Sequence, residues 1–130
     1  MIKKAWISLI FIFVLTNVDF LTAGEIMKIT ENDSGKTVEI KVGDDLEIAL
    51  PANPTTGYVW EVSALDDTVL KLEKTDYIAD DKAIGSGGME VIKFHALAEG
   101  RSEARLIFHR PFERNVPPLK TFSAIVLIKK

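Results

Sequence analysis

Residues 46–62, with the sequence LEIALPANPTTGYVWEV, contain two alternating segments joined by a short turn. Apolar residues recur at every second position on both sides of the turn, which is the pattern of half-buried β-strands. In the turn, residues 53–58, Pro54 fixes its own φ and holds Asn53 extended, and Gly57 accepts a positive φ. The stretch therefore predicts two strands and a pre-shaped turn with Thr55 and Thr56 at its tip. Pre-shaping lowers the ordering cost of binding a partner; an ordinary hairpin connection is the alternative.

The same alternation recurs along the rest of the chain after its N-terminal segment. It is found at residues 38–42, 70–72, 92–96, 106–108 and 122–128. Residues 63–68 allow one helical turn at most, and residues 76–88 and 111–119 are expected to be exposed loops. Several short strands separated by turn residues predict an all-β fold, either a sandwich or a small barrel.

The N-terminus has the order of an export signal. Two lysines precede an apolar run at residues 5–15, and Leu21-Thr22-Ala23 offers a cleavage site before Gly24. The apolar run is shorter than the roughly 20 residues of a membrane span. We therefore expect residues 1–23 to be a signal peptide and residues 24–130 to form the mature domain, exported through the secretory pathway and then secreted, periplasmic or held in a secretory organelle. An uncleaved membrane anchor is the alternative.

Length and composition limit the function further. A chain of 130 residues with 47% hydrophobic and 27% charged residues is expected to form one globular domain. It contains no cysteine, so its stability must come from its core rather than from disulfides. The net charge of −3 argues against nucleic acid as a partner, since such proteins present a basic face.

Residues that could perform catalysis or bind a metal are sparse. There is no cysteine nucleophile, and Gly85-Ser86-Gly87 lacks the strand–turn–helix setting of a serine nucleophile. His95 and His109 point away from the core on their own strands, and neither a hairpin nor opposite sheets would bring them into one metal site. The paired aspartates in turns lack the ligand pattern of a calcium loop. We expect no catalytic residue, no metal and no cofactor.

Three loops follow each other in a distinctive order: NPTTGY at 53–58, GSGG at 85–88 and RPF at 110–112. In this order and spacing they resemble the chagasin family of cysteine protease inhibitors. The similarity extends through the Gly43-Asp44 turn, Trp60 and the run ending at His109, and it covers the chain from about residue 25 to its end.

The resemblance implies a fold and a function. The fold would be an immunoglobulin-like β-sandwich with three binding loops at one end, and Trp60 would belong to its core. A monomer would inhibit papain-like cysteine proteases reversibly and tightly by occluding the active-site cleft. The protease-binding residues would be Asn53, Pro54, Thr55, Thr56, Gly57, Tyr58, Gly85, Ser86, Gly87, Gly88, Arg110, Pro111 and Phe112.

Within those loops the resemblance gives individual roles. Thr55 and Thr56 would lie over the catalytic Cys–His pair of the enzyme, and the glycines of the second loop would allow backbone to approach backbone. Phe112 stands where the family usually has tryptophan. Phenylalanine retains apolar area at this position but lacks the indole N–H and some of the surface of tryptophan. For Tyr58, packing in the core is the interpretation preferred over contact with the protease.

Other functions remain open at the level of sequence. A non-inhibitory binding module for a surface protein or a carbohydrate would use the same loops, because fold does not fix function. An accessory domain that stabilises another exported protein would use its last strand, where Ile125 and Leu127 break the alternation. A secreted enzyme is the least favoured class.

Overall fold

The computed structural model describes residues 24–80 and 85–130, which contain eight β-strands. The strands are β1 (Ile26–Thr30), β2 (Thr37–Lys41), β3 (Asp45–Ala52), β4 (Val59–Ala64), β5 (Leu70–Ala79), β6 (Gly88–Ala96), β7 (Gly100–His109) and β8 (Lys120–Lys129). They form two four-stranded sheets with the orders β1-β3-β6-β5 and β2-β8-β7-β4. The immunoglobulin-like β-sandwich is therefore confirmed, and the small-barrel alternative is wrong because the strands form two separate sheets.

The core lies between the sheets and is built from every second residue of the strands. Successive side chains of a strand point to opposite faces, so each alternating segment supplies one apolar row. The largest side chains that are fully buried are Phe94, Phe122, Leu46, Ile48, Leu50, Leu70, Ile92, Leu106, Ile128 and Val126. Trp60 is 6% exposed, as expected for a core residue.

Two strands were wrongly predicted or missed. β5 continues for ten residues to Ala79 beside β6, so the expected loop at 76–88 begins only after that residue. β5 is an edge strand with a bulge between Leu72 and Lys74, and only Leu70 of its residues is buried. An edge strand of this kind needs little alternation of apolar residues, so the sequence pattern did not show the full length of β5. β1, which pairs in parallel with β3, was not predicted either.

One smaller expectation is corrected, and another agrees with the structure. Val42 follows the end of β2 and is 40% exposed, so it does not share the buried face of Ile40. The expectation of at most one helical turn at residues 63–68 agrees with the structure: β4 runs to Ala64, and a single hydrogen-bonded turn, in which the Leu70 N–H donates to the Asp66 carbonyl at 3.1 Å, precedes β5.

The last strand is less accessible than the accessory-domain interpretation requires. β8 is an inner strand, paired on one edge with β2 and on the other with β7. Ile125 and Leu127 are partly buried on its outer face. β8 therefore offers no free edge to which another protein could add a strand.

The strand order places three connections at the same end of the sandwich. These are β3–β4, β5–β6 and β7–β8, which contain the loops at 53–58, 85–88 and 110–112. In the described part of the chain, no helix is long and apolar enough to cross a membrane. The expected signal peptide, residues 1–23, lies outside the described residues.

Candidate functional site

The first loop is closed by its own side chains. Asn53 caps a single 3-10 turn, Pro54–Thr56, with its Oδ1 accepting from the Thr55 N–H at 3.2 Å and from the Thr55 hydroxyl at 2.6 Å. The Thr56 hydroxyl donates to the Asn53 carbonyl at 2.7 Å. Gly57 ends the turn with φ at +84°, a value that glycine adopts without strain. The turn thus holds its shape without a partner.

The two threonines stand exposed at the tip of this loop. Their hydroxyl protons are directed into the loop, toward Asn53, and the Thr56 oxygen also accepts from the Tyr58 N–H at 3.4 Å. The methyl groups and the remaining oxygen lone pairs are left for an outside contact. The tip is therefore small, neutral and pre-formed, so it can enter a narrow cleft with little loss of hydration.

The second loop contacts the first through backbone. Asn53 Nδ2 donates to the Gly85 carbonyl at 3.1 Å. Gly85 and Gly87 both have positive φ, at +83° and +82°, a backbone conformation that requires glycine at each of these positions. Residues 81–84 lie outside the described residues.

Gly88 does not belong to the loop, contrary to the prediction. It is the buried first residue of β6 and pairs with Ala52 and Ala79. A Cβ at this position would overlap the Ile78 carbonyl, so its glycine allows three strands to lie side by side. An outside partner therefore reaches Gly85, Ser86 and Gly87 before it reaches Gly88.

The third loop contacts the first through Arg110. Its Nε donates to the Thr56 carbonyl at 3.0 Å, and its guanidinium lies 4.4 Å from the centre of the Tyr58 ring. Its Nη1 lies 3.5 Å from a Glu113 carboxylate oxygen, and this ion pair holds the other end of the guanidinium group. Arg110 therefore fixes the distance between the first and third loops.

Phe112 projects from this third loop with 70% of its surface exposed, the largest exposure among the large apolar side chains of the described residues. One edge of its ring faces Gly57, where the Cβ of a larger residue would lie 3.2 Å from the ring. The ring is thus supported from one side and open on the other, as expected for a side chain that buries its free face against a partner.

Gly57→Ala is expected to weaken the contact between these two loops. Alanine at φ +84° costs about 1–2 kcal/mol of stability, and its Cβ would push the Phe112 ring by a few tenths of an ångström. The matched control is Gly43→Ala, which has φ +95° and open space around the new Cβ. Urea unfolding should show a similar loss of stability in both variants, whereas the inhibition of papain that the family resemblance implies should fall only for Gly57→Ala. Equal inhibition by the two variants would contradict the assigned contact.

An aromatic group supports the loops from the core. The rings of Tyr58 and Phe108 stack at 5.2 Å between centroids, and Trp60 lies 4.9 Å from Phe108 at 33°. Tyr58 is thereby held between Phe108 and the Arg110 guanidinium. In the unbound protein the Tyr58 ring is therefore packed against neighbouring side chains and does not present an open face.

A carboxylate lies among these supporting residues. Glu90 occupies an inward position of β6, and its Oε1 accepts from the Trp60 backbone N–H at 3.2 Å. Burial raises the pKa of the Glu90 carboxyl, and the hydrogen bond from Trp60 offsets part of that increase. The Glu90 carboxylate is therefore partly buried at some cost in free energy, beside the stems of the loops.

Both histidines pair with carboxylates, far from each other in opposite sheets. His109 Nε2 lies 2.6 Å from a Glu61 oxygen, and His95 Nδ1 lies 2.6 Å from Asp45 Oδ1. Glu73, turned toward His95 by the bulge in β5, completes a group whose ligand atoms lie within 4.8 Å of one another. The Lys93 ammonium already lies 3.5 Å from the other Asp45 oxygen. Ion pairing therefore accounts for the group, which lies at the opposite end from the loops.

A large surface cleft in the described part of the chain is also remote from the loops. It has a volume of about 800 Å³ and lies between residues 24–27, residues 39–44 and the last two residues of the chain. A smaller cleft of about 250 Å³ lies beside the third loop, between Tyr58, Arg110 and Val116. The chemistry and exposure of the loop residues favour the loop end as the functional site. The size of the clefts does not favour it, because the larger of these two clefts lies elsewhere.

Sequence reasoning missed two parts of this end. Glu90 was not considered, although it stands in the inward register of Ile92 and Phe94, where a carboxylate is unusual. Val116 and Leu119, in the second half of the third loop, are 56% and 59% exposed. Their irregular spacing gives no periodic signal.

Comparison with known proteins identifies the family to which the chain is similar. The family described as "Chagasin family peptidase inhibitor I42" matches residues 39–126, more than half of the chain. Amoebiasin-1 of Entamoeba histolytica is 35% identical over 92 residues, covering 68% of this chain and 87% of that protein. Chagasin of Trypanosoma cruzi is 31% identical over 90 residues, covering 65% and 82%.

A solved structure shows the same similarity in three dimensions. The crystal structure of the cysteine protease inhibitor EhICP2 from Entamoeba histolytica has a TM-score of 0.75 and 25% identity, covering 83% of this chain and 99% of that one. Fold and sequence thus agree over most of the chain. The protein belongs to the chagasin family of peptidase inhibitors.

Proposed function

We propose that the three loops inhibit papain-like cysteine proteases by entering and blocking the active-site cleft. Proteins of this family inhibit cysteine proteases and are not enzymes. The observation that carries the proposal is the pair of hydrogen bonds that join the loops, Asn53 to Gly85 and Arg110 to Thr56. Because the loops are already joined, binding costs little ordering of the inhibitor.

The first loop would occupy the centre of the cleft. Thr55 and Thr56 would lie over the catalytic cysteine and histidine of the protease, where a small neutral tip loses little hydration. The backbone of Gly85–Gly87 would lie against one wall of the cleft, because glycines allow close approach of the two main chains. Inhibition would need no covalent bond to the enzyme.

The third loop would supply the apolar anchor. Phe112→Ala is expected to weaken inhibition of papain by about 1–3 kcal/mol, or roughly 5–150-fold, because it removes the exposed ring that would be buried on binding. Inhibition constants for the parent and the variant measure this effect.

Two further variants control for the Phe112 result. Leu97→Ala removes an apolar side chain that is 44% exposed at the opposite end of the sandwich, and it should leave inhibition unchanged. Phe112→Trp should inhibit at least as strongly as the parent, because indole adds apolar surface and an N–H donor. An unchanged inhibition constant for Phe112→Ala would remove Phe112 from the binding residues.

Titration of active papain with the protein tests the proposed function as a whole. Tight reversible binding needs an interface of only about 800 Å² per partner, which three loops can supply. We expect activity to fall in proportion to added protein until the two are equimolar. Absence of inhibition of papain and of a cathepsin L-like protease at micromolar concentration would refute the proposal. The alternative of a non-inhibitory binding module predicts that result, together with retention on a glycan or surface protein.

We also propose that residues 1–23 are an export signal and that the inhibitor acts outside the cytoplasm. The support is the order of two lysines, an apolar run and Ala23 in the sequence. Mass spectrometry of the protein recovered after export should give a chain that begins at Gly24. A chain that retains residues 1–23 and stays with membranes would support the uncleaved anchor instead.

A further inference from the structure

Two hydrogen bonds cross from one sheet to the other at the base of the first loop, and both start at Trp60. Its indole Nε1 donates to the Pro51 carbonyl on β3 at 3.0 Å, and its backbone N–H donates to Glu90 Oε1 on β6 at 3.2 Å. Pro51 precedes the first loop by two residues and Trp60 follows it by two, so the indole bond ties the two stems of that loop together.

The Glu90 bond connects a second pair of stems. β6 begins at Gly88, directly after the second loop, so Glu90 is only two residues from the strand start. Trp60 lies on β4, whose single hydrogen-bonded neighbour among the described strands is β7. The Trp60 N–H therefore faces the open edge of the sheet, and the Glu90 carboxylate satisfies it from the opposite sheet.

We propose that Glu90 is a positioning residue for inhibition, which sets the separation of the first and second loops by holding Trp60 across the gap between the sheets. The inference rests on the proposed function. Trp60 in turn packs on Phe108, which stacks on Tyr58 beneath Arg110. Glu90 therefore holds the residue that packs beneath the first and third loops, and this role requires no contact between Glu90 and the protease.

The test compares two replacements of similar length in inhibition of papain. Glu90→Met removes the acceptor and leaves the Trp60 N–H without a partner, whereas Glu90→Gln keeps a carbonyl oxygen that accepts from it. We expect the inhibition constant to rise about tenfold in Glu90→Met and to stay within about threefold of the parent in Glu90→Gln. Ile128→Val, a small loss of core packing at the opposite end of β8, controls for stability and should leave inhibition unchanged.

Tryptophan fluorescence gives a readout that a general loss of stability would not change. The chain has two tryptophans, Trp6 and Trp60, so a Trp6→Phe background leaves Trp60 as the only one whether or not residues 1–23 are removed. Its emission should shift to longer wavelength in folded Glu90→Met and remain unchanged in Glu90→Gln and Ile128→Val.

The pH dependence of stability checks that the Glu90 carboxylate is partly buried in the folded protein. Because its pKa is raised by folding, the folded state binds this proton more tightly than the unfolded state, and stability falls as the pH rises from the unfolded pKa to the folded one. The register partners of Glu90 are Leu50 and Tyr77, and on β4 the Glu61 carboxylate is directed to His109. The difference in slope between the parent and Glu90→Gln therefore isolates the contribution of Glu90. Glu90→Gln should remove this part of the pH dependence.

The outcomes separate the two proposals. If the parent inhibits papain and Glu90→Met inhibits it equally well, the positioning role is wrong and the proposed function stands. The same conclusion follows if Glu90→Gln loses as much inhibition of papain as Glu90→Met does. If Glu90→Met does not fold, Glu90→Ala in the same comparison decides. If the parent itself does not inhibit, the proposed function fails and the inference fails with it.

Discussion

Replacing Asn53 with alanine is expected to cause the largest loss of inhibition of any single substitution in the loops, about 30–1000-fold. The side chain makes three hydrogen bonds: two shape the first loop through Thr55, and one joins it to the second loop through Gly85. At about 1 kcal/mol each, with the added cost of ordering a loosened loop, their removal should cost about 2–4 kcal/mol of binding free energy. The inhibition constant for papain measures it.

Asn53→Ser separates the two contributions of Asn53. Serine is a good capping residue and can accept from the Thr55 N–H, but it has no amide to reach the Gly85 carbonyl. We expect it to inhibit at a level between alanine and the parent. If Asn53→Ala inhibits as well as the parent while remaining folded, the pre-formed shape of the first loop is not what makes the inhibitor bind.

Arg110→Ala is expected to weaken inhibition of papain about 10–100-fold. The substitution removes the hydrogen bond to Thr56, the contact over the Tyr58 ring and the pairing with Glu113, so the third loop is no longer fixed to the first. An exposed hydrogen bond from a charged group and a cation–π contact together account for about 1.5–3 kcal/mol.

Arg110→Lys should recover only a small part of this loss. Lysine keeps the charge but has neither the Nε donor nor the planar group that lies over Tyr58. Arg105→Ala is the matched control, because Arg105 is an exposed arginine on β7 whose partner, Glu103, lies in the same strand. Equal inhibition by Arg105→Ala and Arg110→Ala would show that Arg110 does not hold the loops together.

The sequence predicted the strands that contribute a full apolar row to the core. β3, β6, β7 and β8 each place every second residue between the sheets, and the alternation was therefore visible. β5 was underestimated because it is an edge strand with one buried residue, Leu70. At an edge, the ladder of backbone hydrogen bonds defines the strand, and side-chain identity carries little of that information.

The candidate site could be predicted only in part, for a similar reason. Proline and glycine mark the three loops locally, because they are required by the backbone of each turn. The bonds from Asn53 to Gly85 and from Arg110 to Thr56 join residues 32 and 54 positions apart, and they depend on the order of strands in two sheets. Nothing local indicates that Arg110 bridges two loops. Gly88 was assigned to the loop because a glycine required by close strand packing looks the same in sequence as one required by a turn.

Glu90 shows where the alternation itself contained more information than was used. Its register with Ile92 and Phe94 placed it on the inner face of β6, and a carboxylate there needs a partner. The partner, the Trp60 backbone N–H, is not a side chain, and therefore no pattern of residue types pointed to it.

Protection of the catalytic cysteine of papain from alkylation tests the central claim most directly. Papain is mixed with an equimolar amount of the protein and treated with iodoacetamide, a reagent small enough to reach any open cleft, and the modified cysteine is quantified by mass spectrometry. If the three loops fill the cleft, alkylation should fall to the level set by residual free enzyme, and Asn53→Ala should restore it. Alkylation at the rate of free papain, in a complex that is shown to be bound, would contradict occlusion of the active site.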